Sequence, residues 1–195
     1  CSFNLAELCA TTIALLKDKN HDIKSTLPAP DFVGGGYILY NEGDIDNIYE
    51  NGRGSVRVRA KYEYVKDGNM IEVTHIPPTT TVEAIMDKIA ELVKAGRVRE
   101  ISDMRDETDL NGLKLTIDLK RGQDPEKVMA KLFRLTPLED SFSCNFNILV
   151  SGMPRVMGVR EILNEWSAFR IICVRRPTEH DLDGKRKRLH LLKAL

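Results

Sequence analysis

An α+β fold follows from three features of the sequence. Residues 54–65 alternate apolar and polar side chains with a period of two. Residues 82–95 and 125–135 carry apolar side chains at helical spacing behind capping signals. From Met70 to Val150 the signals run β-α-β-β-α-β, the split βαβ order. The expected architecture is one sheet in that order, extended by an added hairpin strand, with helices packed on it and long helices after it.

Asn4 to Lys17 is read as a helix, with Leu5, Leu8, Cys9, Ile13 and Leu16 on its apolar stripe. Leu27-Pro28-Ala29-Pro30 breaks the chain, and Gly34-Gly35-Gly36 leads into a short strand, Tyr37 to Tyr40. Asp44 to Asn51 is a short helix closed by Gly52. In the strand from Gly54 to Val65, Val56, Val58, Ala60, Tyr62 and Tyr64 share one face. Ser55, Arg57, Arg59, Lys61 and Glu63 share the other. The turn 66–69 returns the chain as a second strand, Met70 to Ile76.

Thr80 or Thr81 caps a helix from Val82 to Ala95, and Gly96 follows where a C′ glycine belongs. Strands are expected at Val98–Met104 and Leu113–Leu119. Asp124-Pro125 supplies an N-cap and a first-turn proline for a helix to Leu135. Asn145–Val150 is the last strand, ended by the turn Ser151-Gly152. Val159, Ile162, Leu163, Trp166, Phe169 and Cys173 form an apolar stripe. Pro177 interrupts it, and Leu182–Leu195 is helical again.

Composition narrows the function. The chain has 195 residues, 42% hydrophobic and 30% charged. That is ordinary for a packed domain and excludes wholesale disorder. No apolar run approaches the length of a membrane span. The four cysteines are scattered, with no CxxC, so a reducing, cytoplasmic setting is expected. There is no signal-peptide pattern behind Cys1, and the terminal helix stops in mid-pattern, so a piece of a longer protein is expected.

The net charge of zero is a sum of opposed segments. Residues 1–52 are net −5, 53–66 net +4, 67–169 net −4 and 170–195 net +5. In an extended strand Arg57, Arg59 and Lys61 project to one side, about 6.7 Å apart per step. Such a row is unfavourable unless it is solvated or faces anions, and phosphate is the obvious anion. The second basic run, Lys185 to Arg188, suits a solvated helix face.

Catalytic and metal motifs are missing. His21, His75, His180 and His190 have no metal-ligand spacing. Asp44-Ile45-Asp46-Asn47 opens like an EF-hand, but Tyr49 stands at the glycine position and Ser55 at the last ligand position. Gly34-Gly35-Gly36 lacks the P-loop lysine and reads as a flexible turn or a close backbone approach. Asp103, Asp106, Glu107 and Asp109 read as a solvated acidic loop pairing with Arg105.

Several collinear stretches resemble the A subunit of bacterial type IIA DNA topoisomerases, meaning DNA gyrase and topoisomerase IV. Pro30-Asp31-Phe32-Val33-Gly34-Gly35 resembles the family's P-D-F-P-T-G-G, and 51–60 resembles T-G-R-G-x-V-x-x-R-A. Residues 88–94 and 101–107 match K-I-A-E-L-V and I-S-D-L-R-D-E. Ile76-Pro77, Leu135–Leu138, Gly152–Val156 and His190–Leu195 match shorter motifs.

The resemblance implies a division into the end of a winged-helix region (1–28), a tower domain (29–157) and the start of coiled-coil helices (158–195). It implies a parent enzyme that passes one DNA duplex through another, as a homodimer of A subunits with a B subunit. ATP and Mg²⁺ would be bound by that B subunit, with no cofactor or metal in this chain. None of the five tyrosines matches the family's catalytic motif, so no catalytic residue is assigned. Ile38 matches the isoleucine that wedges between base pairs and bends the DNA. Ile38, Arg53, Arg57, Arg59 and Lys61 are therefore the expected double-stranded DNA contacts. The competing expectation is a non-enzymatic module that binds nucleic acid through an open sheet.

Overall fold

The computed structural model describes residues 2–193. Cys1, Ala194 and Leu195 lie outside the described residues, and with them the last two positions of the terminal helix expected to reach Leu195.

Helix α1 (Leu5–Lys17) starts at Asn4, whose side chain accepts from the Ala6 and Glu7 amides. Strand β1 (Tyr37–Leu39) is followed by helix α2 (Glu42–Asn51), which Asn41 caps and Gly52 ends at a positive φ of 68°. The single long strand expected from Gly54 to Val65 is instead two strands, β2 (Arg53–Arg59) and β3 (Lys61–Val65). The break falls at Ala60, which is 1% exposed and donates its amide to the Leu138 carbonyl. Alternation alone cannot report this break, because the period of two runs through it.

Strand β4 (Met70–His75) and helix α3 (Val82–Lys94) follow, with Thr81 capping α3 through the Ala84 amide. Strand β5 (Ile101–Asp106) lies later than the expected 98–104. Next come β6 (Leu115–Leu119) and helix α4 (Pro125–Leu135), capped by Asp124. Strand β7 (Glu139–Asn145) was not expected from the sequence. It precedes the hairpin β8 (Asn147–Val150) and β9 (Met153–Val156).

Among the described residues the strands form three sheets, ordered β1-β2-β7, β3-β4-β6-β5 and β8-β9. The expected single sheet is therefore replaced. β6 lies between β4 and β5, antiparallel to both. The last strand of the expected order, β7, runs along β2 over seven register pairs. The place beside β4 is taken by β3. The turn at 66–69 makes that pairing local, and closing a short loop costs less entropy than closing a long one.

Two cores hold these layers. Helices α3 and α4 cover the four-stranded sheet and bury Ile71, Val73, Ile85, Ile89, Ile117 and Leu132. Leu27, Ile45, Ile48, Val56, Val58, Phe146 and Leu163 form the second core, under the three-stranded sheet.

Helix α5 (Val159–Lys193) continues through Pro177, where the sequence pattern placed an interruption. Residues 175–180 are exposed, so water can satisfy the carbonyl that loses its amide donor to the proline. Of its expected stripe, only Val159 and Leu163 are buried, while Trp166 and Phe169 are 52% and 60% exposed. The stripe of α1 is displaced too. Its buried residues are Thr11 and Leu15, and Leu5, Ile13 and Leu16 are exposed.

Candidate nucleic-acid interface

Strand β2 is the middle strand of its sheet, paired with β7 along its whole length and with β1 over Arg57–Arg59, and its side chains alternate between the two faces. Val56 and Val58 point into the second core. Arg53, Ser55, Arg57 and Arg59 fall on the opposite face. Arg53 stands about 13 Å from Arg57 along the strand. Lys61 does not continue this row. It lies past the break at Ala60, in the other sheet, opposite His75.

The anion facing the arginines is internal. Glu139 sits directly across from Arg59 in the β2–β7 register, and its side chain is only 7% exposed. Its Oε1 meets Arg57 Nη2 at 2.5 Å. Its Oε2 accepts a hydrogen bond from Arg59 Nε at 2.7 Å and lies 2.6 Å from Arg59 Nη2 in an ion pair. The Arg59 Cζ lies over the Phe133 ring, on α4, 4.5 Å from its centre. An open cleft runs beside these groups, lined by Arg57, Lys88, Phe133, Arg134 and Glu139 among others. Arg57 remains 63% exposed and Arg59 38%.

Ile38 is paired with Val58 and is partly buried against the second core. The β1 residues that share the outward face with the arginines are Tyr37, opposite Arg59, and Leu39, opposite Arg57. Tyr37 and Tyr40 are 55% and 56% exposed. Arg53, Arg57 and Arg59 are thus brought to one face, whereas Ile38 and Lys61 are not. The triple glycine before β1 is a close approach, since a Cβ on Gly35 would collide with the His75 ring.

In the acidic loop Asp103 and Glu107 face cations of the protein itself, while Asp106 and Asp109 accept from Thr108 and Asn111 within the loop. Arg105 reaches Asp118 at 2.5 Å, Glu107 at 3.2 Å and Asp103 at 3.5 Å. Lys114 bridges Glu72 and Glu107. The Thr116 hydroxyl, then Arg105 and Lys114, hold the Glu107 carboxyl below its ordinary value.

Neither Glu139 nor Phe133 stands out in the sequence. Glu139 precedes Asp140 after Thr136-Pro137, which resembles a turn. The usable signal was the alternation of Phe142, Cys144 and Phe146, which extends a strand back to Glu139 and places it on the face opposite to theirs.

Comparison with known proteins agrees with the resemblance. The sequence matches the family described as DNA gyrase/topoisomerase IV, A subunit, over residues 1–195. It is 38% identical over 200 residues to the chloroplastic/mitochondrial DNA gyrase A subunit of Arabidopsis thaliana, covering 98% of this chain and 21% of that protein. It is 36% identical to the DNA gyrase A subunit of Granulibacter bethesdensis, covering 98% of this chain and 21% of that protein. Identity to the DNA topoisomerase 4 A subunit of Synechocystis sp. is also 36%, covering 98% and 22%. This chain belongs to the family of DNA gyrase and topoisomerase IV A subunits. It spans about a fifth of the length of these relatives.

Proposed function

We propose that this chain holds and bends duplex DNA as part of the A subunit of a type IIA topoisomerase. The observation that carries the reading is the outward face of β2, where Arg53, Arg57 and Arg59 stand beside exposed Tyr37. Guanidinium forks suit phosphate oxygens, and such contacts hold a duplex without reading its sequence. Residues 1–28 end a winged-helix region, 29–157 form the tower domain and 158–195 begin the coiled coil. The exposed apolar side chains of α5, among them Trp166, Phe169, Ile172 and Val174, support a helical partner there.

In the complete enzyme, two A subunits act with a B subunit to change DNA supercoiling by ATP-dependent double-strand passage, in the cytoplasm of a bacterium. ATP and Mg²⁺ belong to the B subunit. Among the described residues no group of three or more His, Cys, Asp or Glu is placed to hold a metal ion. Asp103, Glu107 and Asp118 are paired with Arg105. The catalytic tyrosine is supplied by the upstream part of the A subunit, so this chain alone has no strand-passage activity.

Arg57→Ala combined with Arg59→Ala lowers affinity for duplex DNA and reduces the salt slope by about one to two. An unaltered slope in a salt titration removes this strand from the interface. Ile38 acts as the wedge when the short edge strand β1 shifts away from Val58, and unstacking a base step then bends the duplex. Ile38→Ala in the full-length A subunit with its B subunit reduces DNA bending measured by end-to-end energy transfer. Bending that instead persists in Ile38→Ala and drops in Tyr37→Ala assigns the wedge to the outward side chain.

A further inference from the structure

The arginine face contains a carboxylate that the DNA-binding reading does not call for. A buried anion beneath two cations lowers the local charge, which by itself weakens attraction for phosphate. Its geometry points to a compensating role. Glu139 uses both oxygens, one for each arginine. Arg59 is restrained twice, at Nε by Glu139 and at Cζ by the Phe133 ring that it lies over. Phe133 is itself held in the first core and lies 6.0 Å from the Tyr62 ring. The guanidinium groups are thereby tied to α4 and β7 as well as to their own strand. Each keeps N–H groups for a ligand, because a guanidinium carries five donors and Glu139 engages Arg57 through Nη2 alone and Arg59 through Nη2 and Nε.

We propose that Glu139 is a positioning residue that fixes Arg57 and Arg59 as one phosphate-binding unit. A free arginine must give up side-chain rotamers when it grips a phosphate, whereas a pair already held by a buried carboxylate has lost them in folding. The carboxylate stays in place when DNA binds, and phosphate oxygens take the outward N–H groups. The proposal rests on the reading of β2 as a DNA-binding strand.

The test is a salt titration of the 195-residue chain with a duplex of about 20 base pairs. Glu139→Gln keeps the shape and removes the charge. It weakens binding roughly five- to tenfold, although the variant is more positive by one charge. In the Arg57→Ala, Arg59→Ala background the same change has no weakening effect. Equal or tighter binding by Glu139→Gln overturns the proposal, since the carboxylate then only neutralises charge. Equal weakening in both backgrounds also overturns it, since the effect is then general to the fold. If Arg57→Ala with Arg59→Ala leaves affinity and slope unchanged, the DNA-binding reading itself fails and the proposal falls with it.

Thermal unfolding followed by circular dichroism checks that Glu139→Gln folds. If it does not, Arg59→Lys decides. Lysine keeps the charge and cannot make both the edge-on pair and the ring stack. Binding weakened several-fold supports the proposal, and wild-type affinity overturns it.

Discussion

Glu100 and Lys131 tie the approach to β5 to the exposed face of α4, with Nζ 2.9 Å from Oε1. The Lys131 ammonium holds the Glu100 carboxyl below its ordinary value of 4.5. A carboxyl depressed in the folded state adds stability above its unfolded value, and that stability is lost as pH falls through the folded value. Glu100→Gln therefore lowers stability near neutral pH, by less than about 1 kcal/mol because both groups are partly solvated. The difference from wild type narrows as pH falls below the ordinary carboxyl value and closes only below the depressed folded value, so it is present at neutral pH and gone in strong acid. Urea unfolding at the two pH values measures it, and a difference that persists in acid shows that lost packing, not the charge, is responsible. Single residues were legible in the sequence where their role is local. Asp124, Thr81 and Gly52 act on backbone groups within a few positions, and each stands where its cap was expected. Glu139 was not legible, because its partners lie 80 and 82 positions away and only the β2–β7 pairing brings them within reach.

Among the elements, helices were read more accurately than strands. A helix closes its hydrogen bonds within itself, so spacing and caps nearly define it. A strand is completed by a partner that the local pattern does not name. Period-two alternation identified both faces of 54–65, yet the division at Ala60 depends on the Leu138 carbonyl, which β2's own sequence cannot announce. The helix at the end of the chain differs in the other direction. Proline inside a helix costs roughly 3 kcal/mol, and Pro177 nevertheless lies within α5. Pro177→Ala restores the missing bond to residue 173 and slows amide hydrogen exchange over residues 174–181. Exchange that is unchanged or faster shows that this turn is not the weak point of the helix.

At the scale of the whole molecule, the two cores are joined by the arginine cluster as well as by the chain. Arg59 belongs to the sheet over the second core, while Phe133, on which it stacks, belongs to the first. Apolar periodicity pointed to helices at both ends of the chain but could not say how much of each would be covered. Leu16 of α1 and Trp166, Ile171 and Val174 of α5 line one apolar cleft, so the two ends of the sequence share a surface. At the base of α5 the backbones of two elements touch with no side chain between them. A Cβ on Gly158 would strike the Tyr49 and Glu50 carbonyls, and one on Gly52 would strike the Met157 carbonyl. Such a joint leaves little slack, so α5 and α2 must turn together. With 35 residues, the helix is a lever arm of about 52 Å, and a tilt of roughly 10° at its root sweeps the far end through about 9 Å.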